Sequence, residues 1–477
     1  MYKKKRSMFL LIGLMLFARI AYADPKLIAI GRVSGLYEDF APQTAVRLEN
    51  GLPGNRLGGV GSGLAYAGGN TFLAIPDRGP NAIPYNPLVD NTTSYINRFH
   101  TFNFSLAPAD PGSPLPFTLT PMLTRTTLLS SRTPLFYGSG STVGLGSGAP
   151  ALNALHHTHY FTGRSDNFDP LQASTNPFDG RFDPEGIRLS NDGKSVFISD
   201  EYGPYVYQFN RESGRRIRAF DLPSNLAITS LSSQGDVEIA DNKIGRISNK
   251  GMEGIAITPD GSMLVGIMQA NLEQDKSNSL RIVTIDIKTG NTHEYAYQLS
   301  DGSGASEILA INNHQFLVDE RDGKGLGDKP ASTDKPSKAG VKKLYLIDLN
   351  GAKDVSGVIG GDLSGFAVPK TLFLDIVSKL NAAGIDNLFI PAKLEGMAFG
   401  QDVVIDGATK HTLYIANDND FLGEIADPTD PLNAIVENPN QFFVFAFSDS
   451  DLPGFVPQRI REFSFDHDGD DDHDRNH

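Results

Sequence analysis

The chain contains no cysteine among its 477 residues, so neither a disulfide, a thiol nucleophile nor a thioether-linked lipid anchor is available to it. A fold without such staples needs a large apolar core, and the length permits one. Apolar runs long enough to span a bilayer are also missing: none approaches about 18 unbroken residues. Helix signals are few, and the clearest is Thr371 to Ala383, where Leu372, Phe373, Ile376, Val377 and Leu380 share a face before Gly384. No Gly-x-Ser-x-Gly elbow occurs and none of the ten histidines lies in one of the repeated strand-end polar clusters, which argues against a Ser-His-Asp hydrolase.

The chain opens with Lys3-Lys4-Lys5-Arg6, an apolar stretch from Met8 to Phe17, and Ala21-Tyr22-Ala23 before Asp24. This reads as a secretory signal over 1–23, cleaved after Ala23 to leave a periplasmic or extracellular protein without a membrane anchor. The formal charge is −14. The basic signal and the acidic tail after Phe465 offset one another, so the body is acidic too. That argues against nucleic acid and anionic membrane as partners, and a single-subunit protein acting on a small molecule is expected.

What is abundant is glycine, proline and short β-branched or aromatic runs separated by turns such as Asn191-Asp192-Gly193 and Pro259-Asp260-Gly261. Within them one motif recurs. Pro184-Glu185-Gly186-Ile187 returns as Met252-Glu253-Gly254-Ile255 and Leu394-Glu395-Gly396-Met397, each opening an apolar run. Ser62-Gly63-Leu64-Ala65 is a copy without the acid, and Ser306-Glu307-Ile308-Leu309 one without the glycine. After each, a second apolar run ends in a polar cluster: Asp77-Arg78-Gly79, Asp200-Glu201-Tyr202, Asp319-Glu320-Arg321 and Asn417-Asp418-Asn419-Asp420. The third copy departs, ending in Met268-Gln269-Ala270-Asn271. Four strands per repeat predict an all-β propeller of five to seven blades over 24–465, six slightly preferred. The long Gly/Ser-rich interval before Glu185, with Tyr137 to Pro150 and His156-His157-Thr158-His159, has room for one degenerate blade. In a propeller the start of each innermost strand and the end of its neighbour lie on one rim, so the repeated acids converge on one channel mouth.

The set Asp183-Pro184-Glu185-Gly186, Ile198-Ser199-Asp200-Glu201-Tyr202-Gly203, Gly251-Met252-Glu253-Gly254-Ile255 and Lys393-Leu394-Glu395-Gly396-Met397 resembles the phytase-like domain family, also described as the esterase-like activity of phytase. The likeness runs from about Gly59 to Phe447 and implies an exported propeller with phosphomonoesterase or phosphodiesterase activity. The Glu-Gly opening is also similar to the metal ligand of gluconolactonase-type propellers, which hold calcium or another divalent ion.

Carboxylates crowded at one mouth need protons, basic partners or cations, and calcium suits an all-oxygen ligand set. The expected ligands are Glu185, Glu253, Glu307 and Glu395, with Asp77, Asp319, Glu320, Asp418 and Asn419 beside them. Asp200 or Glu201 is the candidate general base, and Arg78, Lys250, Arg321 and Lys393 the candidate phosphate-binding cations. The bland reading is that these acids pair with arginines and lysines across blade junctions. A metal-dependent phosphoric ester hydrolase is the leading expectation. A lactonase or carboxylesterase, and a non-catalytic binding propeller, are the alternatives. The stretch 466–477 copies a calcium-loop spacing without its distal glutamate and reads as an acidic tail.

Overall fold

A computed structural model describes residues 24–85, 92–139, 148–154, 157–276, 278–329, 337–430 and 432–461. The signal segment, the acidic tail and His156 fall outside them. Five antiparallel sheets are arranged as the blades of a propeller, four of them four-stranded and the last with the short strand Val403–Ile405 added to its four. Their innermost strands are Gly63–Tyr66, Pro184–Leu189, Met252–Ile257, Gly304–Ala310 and Lys393–Phe399. Each of the five opens with one copy of the repeat, and they touch in sequence until the fifth meets the first. The number of blades is therefore five rather than six. Between Leu128 and Asp183 the described residues contribute only the pair Ser130–Ser131 and His159–Tyr160, not a further blade.

Closure comes from the ends of the chain. Lys26–Val33 pairs with Asn440–Phe447 and becomes the outermost strand of the fifth blade, so the ring is fastened by its own first strand. Five hydrophobic clusters fill the five blade junctions. Along the second blade's Ser195–Asp200, alternate side chains serve two of them: Val196 and Ile198 pack toward the first blade, and Phe197 toward the third. That period of two is why the runs read as strands buried on both faces.

The repeat has a local structural meaning. In the second, third and fifth blades the pairing of the innermost strand slips across the Glu-Gly positions: between Pro184 and Ile187, Met252 and Gly254, and Leu394 and Met397. In the fourth it slips between Ala305 and Glu307. The first blade has neither acid nor slip. A β-bulge re-aims a side chain without ending the strand, and here it turns a carboxylate toward the channel. The glycine lets neighbouring strands approach: a Cβ on Gly186 would lie 2.8 Å from Ile255 N, and one on Gly254 would lie 2.6 Å from Glu307 Cα.

The expected helix at 371–383 is half strand. Lys370–Asp375 is held as the outer strand of the fourth blade by pairing with Lys343–Ile347, and only Ile376–Ala382 is helical. Asp375 caps that helix by accepting from the Ser378 amide at 3.0 Å. A second short helix, Gly235–Asp241, lies in the insertion between the second and third blades.

Candidate functional site

Strand pairing fixes which rim carries the acids. Pro184 lies opposite Asp200, Lys393 opposite Asp418 and Gly304 opposite Arg321, so strand starts and strand ends share one mouth. The Asp192-Gly193 and Asp260-Gly261 turns occupy the other face, with both glycines at positive φ. At that far end the segment Phe455 to Gln458 crosses the channel opening, tied by the Val456 amide to Ile311 O and by Gln458 to Leu189 O. Between the two ends Arg188 fills the channel. Its guanidinium donates to Leu64 O and Ile308 O from two other blades and lies 2.9 Å from Glu307.

Two carboxylate groups form at the mouth. Asp183, Glu185 and Glu201 bring oxygens within 4.8 Å of one another, and so do Asp77, Asp418 and Asp420. Each is partly compensated. Arg78 pairs with Asp183 at 2.9 Å and with Glu201 at 3.8 Å. Lys393 pairs with Asp418 at 2.8 Å and with Asp420 at 2.5 Å. Between the groups Arg321 contacts Glu395 closely and Glu253 at 3.6 Å, while Gln269 donates to Glu253. Eight carboxylates, from Asp77, Asp183, Glu185, Glu201, Glu253, Glu395, Asp418 and Asp420, thus face the cations of Arg78, Arg321 and Lys393.

The electrostatic strain shows in the titration behaviour. Burial, then the charges of Glu253, Asp183 and Glu201, push Glu185 well above the usual carboxylate range. Burial and Glu253 do the same to Glu201, against the pull of Arg78. Glu201 and Glu253 perturb one another: Glu253 raises Glu201 further, while Glu201 opposes the burial that raises Glu253. Glu395 is pushed up to about 8 by burial despite Arg321 and Lys393. Burial would raise Asp418 as well, but the ammonium of Lys393 holds it below its ordinary value. Glu185 is only 7% exposed and has no hydrogen-bond or ion-pair partner among the described residues. Glu201 Oε1 and Glu253 Oε2 are buried without a hydrogen bond. Above the mouth lies a cavity of about 530 Å³ lined in part by Arg78, Lys329, Lys393, Asn81, Asn249 and Tyr85. Tyr85, Asn249, Asp420 and Phe421 around it all have positive φ, the left-handed backbone that side chains other than glycine seldom adopt.

Several expected site residues stand elsewhere. Asp200 points behind the rim, accepting from the amides of Asp183 and Gly203, and burial raises it to about 8; it holds the turn and does not face the mouth. Glu320 is turned outward to Lys370, Tyr297 and the amides of Ser300 to Gly302. Asn419 is consumed structurally, its Oδ1 accepting from Gly59 and Phe421 and its Nδ2 donating to Asn438 O. Glu307 lies deeper in the channel, locked to Arg188 and to two backbone amides. Asp319 is beside it, fully buried with both oxygens lacking a hydrogen bond, near Arg321 and Lys342. Lys250 is exposed and makes no ion pair among the described residues; the neighbouring Asn249 reaches the site instead, accepting from Arg78. The missed members are Asp183, Asp420 and Asn249. No described histidine belongs to either carboxylate group.

Comparison with known proteins places this geometry. The sequence model of the family described as "Phytase-like: Esterase-like activity of phytase" matches residues 55–421. A protein of Arthroderma benhamiae described as an uncharacterized secreted protein is 34% identical over 178 residues, covering 29% of this chain and 34% of its own, so the chain spans about a third of that relative's length. Among solved structures, the hydrazine synthase of Kuenenia stuttgartiensis superposes with a TM-score of 0.31 at 12% identity, over 77% of this chain and 79% of its own. A Bacteroides uniformis protein provisionally assigned as a 6-phosphogluconolactonase gives 0.29 at 10% identity, over 80% and 88%. Neither superposition is close enough to carry function. No helix among the described residues is long and apolar enough to cross a membrane.

Proposed function

The chain belongs to the phytase-like family, and on that premise we propose that it is an exported, divalent-cation-dependent phosphoric ester hydrolase whose reaction takes place at the acidic mouth. The observation that carries this reading is the group Asp183, Glu185 and Glu201, with Glu185 buried and unpartnered and Glu201 Oε1 unsatisfied. Buried carboxylates left in that state are costly, and their all-oxygen chemistry fits a hard cation such as calcium. Asp183, Glu185 and Glu201 would hold one ion, and Asp77, Asp418 and Asp420 a second. When bound, the cations supply a positive field for a phosphate group and Lewis acidity toward its oxygens.

The residues of the chain supply the rest. Arg78 and Lys393 line the cavity above the mouth, where each can donate to phosphate oxygens while keeping one carboxylate partner. Arg321, clasped between Glu253 and Glu395, fixes the spacing of the third and fifth blades. Glu201, free at Oε1, accepts the proton of the attacking water. Asp200 positions Asp183 and Glu201 through the backbone. The cationic side chains of the cavity, Arg78, Lys329 and Lys393, favour a phosphate ester over a lactone. Export is supported by the basic and apolar leader ending at Ala23 and by a relative described as secreted.

The test is a panel of phosphomonoesters, phosphodiesters and lactones assayed on protein beginning at Asp24, with EDTA and calcium add-back, beside Glu185→Gln and Glu201→Gln. Phosphate release that is abolished by chelation, restored by calcium and lost in both variants is expected. Activity indifferent to chelation and to both substitutions would sink the proposal.

A further inference from the structure

On the face opposite the acidic mouth, the first and second blades enclose a groove of different character. It has a volume of about 560 Å³ and is lined by Arg125, Arg211, Asn70, Asn103, Thr71 and Thr101 among others, with no carboxylate in its wall. In a chain of net charge −14, two guanidinium groups share a groove whose described lining holds no Asp or Glu. Burial and the like charge of Arg125 both depress the ionisation of Arg211. Arg211 makes no ion pair among the described residues, and its Nη1 donates to Gly193 O at 3.2 Å. Arg125 donates to Glu212 O at 2.6 Å.

The groove is built rather than incidental. Arg125 lies opposite Thr101 at a pairing slip that leaves Thr124 as the extra residue, its hydroxyl donating to Thr101 O. Such a bulge redirects the neighbouring side chains. The loop bearing Arg211 is clamped to the first blade at Gly214, which has φ +65 and where a Cβ would fall 2.0 Å from Leu128 O. The Ser130 amide donates to Gly214 O at 2.9 Å. A second groove of about 340 Å³ shares Arg125 and adds Arg215, with one acid, Glu212, in its lining. Three guanidiniums are therefore set along one track by backbone contacts.

We propose that this track is an anion-binding site, separate from the acidic mouth, for a ligand carrying two or more adjacent tetrahedral oxyanions. The planar fork of arginine matches phosphate and sulfate oxygens in pairs. Like-charged arginines held together are relieved when such a ligand bridges them. The amide and hydroxyl groups of Asn70, Asn103 and Thr101 supply neutral donors beside them.

The experiment is calorimetric titration of the full chain in EDTA, where the cation-free mouth repels polyanions and leaves the groove as the binding surface. The probes are inorganic tripolyphosphate and a sulfated oligosaccharide, which separate a phosphate source from a sulfate source. Saturable binding of at least one probe, weakened by salt, is expected. Arg211→Ala and Arg125→Ala should each weaken it by about tenfold or more. Asn70→Asp, which places a carboxylate in the groove from an exposed turn, should do likewise in a protein of unchanged circular dichroism. Phosphate-ester hydrolysis of small substrates should be unchanged in all three. Absence of binding by both probes, or binding that survives all three substitutions, overturns the proposal.

Discussion

The guanidinium of Arg188 lies 2.9 Å from the carboxylate of Glu307, joining the second blade to the fourth across the channel. The pair is fully enclosed, and the arginine also satisfies carbonyls of the first, second and fourth blades. Its two partners are therefore unequal. Arg188→Met leaves a buried carboxylate and three carbonyls without their donor, and is expected to cost about 3–5 kcal/mol. Glu307→Gln keeps a neutral acceptor for the Ile255 and Ile308 amides and leaves the arginine its carbonyls, so it should cost clearly less. Urea unfolding of both variants measures the difference; equal losses would mean that Arg188 acts only as a counter-charge.

Glu185 presents the opposite case, a buried carboxylate that pairs with nothing. Replacing it with glutamine removes repulsion from Glu253, Asp183 and Glu201. In EDTA, Glu185→Gln should melt at the same temperature as the parent or higher. With calcium the order should reverse, since a hundredfold loss of affinity removes about 2.7 kcal/mol of ligand-induced stability. Differential scanning calorimetry with and without calcium reads both effects. A variant that is less stable in EDTA would show that Glu185 holds a structural partner.

The close approach of innermost strands gives a steric prediction. A Cβ at position 254 would meet backbone atoms of Glu307 and Ile308 at 2.6 and 2.7 Å, and backbone cannot swing aside. Gly254→Ala should therefore cost about 2–3 kcal/mol by forcing two blades apart. Gly357→Ala, with open space around the added carbon, should stay within about 0.5 kcal/mol. Chemical denaturation of the two side by side decides it.

These contrasts show what was legible in the sequence. The repeat located every innermost strand; in the second, third and fifth blades a bulge that must admit a carboxylate and a close neighbour leaves a two-residue signature, and the first and fourth copies keep half of it. The number of blades was harder, since the long interval before Glu185 is filled mostly by irregular chain that no strand pattern describes. The site was read too broadly at the strand ends. Side chains alternate there, so Asp418 and Asp420 face the mouth while Asn419 faces back, Glu201 faces it while Asp200 does not, and Arg321 does while Glu320 does not. Applying that period would have found Asp420 and set aside Asn419. Asp183 carried a weaker signal: it precedes the bulge, and only the double tie from Arg78 in another blade fixes its direction. The helix expected at 371–383 forms only over Ile376–Ala382, for a tertiary reason: the five residues before it complete a sheet edge.

His100 offers a pH prediction away from the mouth. It is fully buried in the first blade, with Nδ1 on the Thr126 hydroxyl at 3.1 Å and Nε2 without a partner. Burial lowers its pKa from 6.5 to about 4; Asp39 opposes the shift and Arg98 adds to it. The unfolded chain protonates this histidine near 6.5 and the folded chain only near 4, so between those values the unfolded state binds the extra proton. Stability from this group is complete above about pH 6.5 and is lost as pH falls toward 4, by about 3 kcal/mol in all. His100→Asn keeps a polar partner for Thr126 and cannot titrate. Many buried carboxylates also titrate in the chain, so the informative quantity is the stability of the parent minus that of the variant, measured by urea unfolding at steps across this range. That difference should shrink steadily as the solution is acidified. If it stays level from pH 7 to pH 4, the imidazole is not held neutral by burial, and the acid sensitivity of the fold resides in its carboxylates alone.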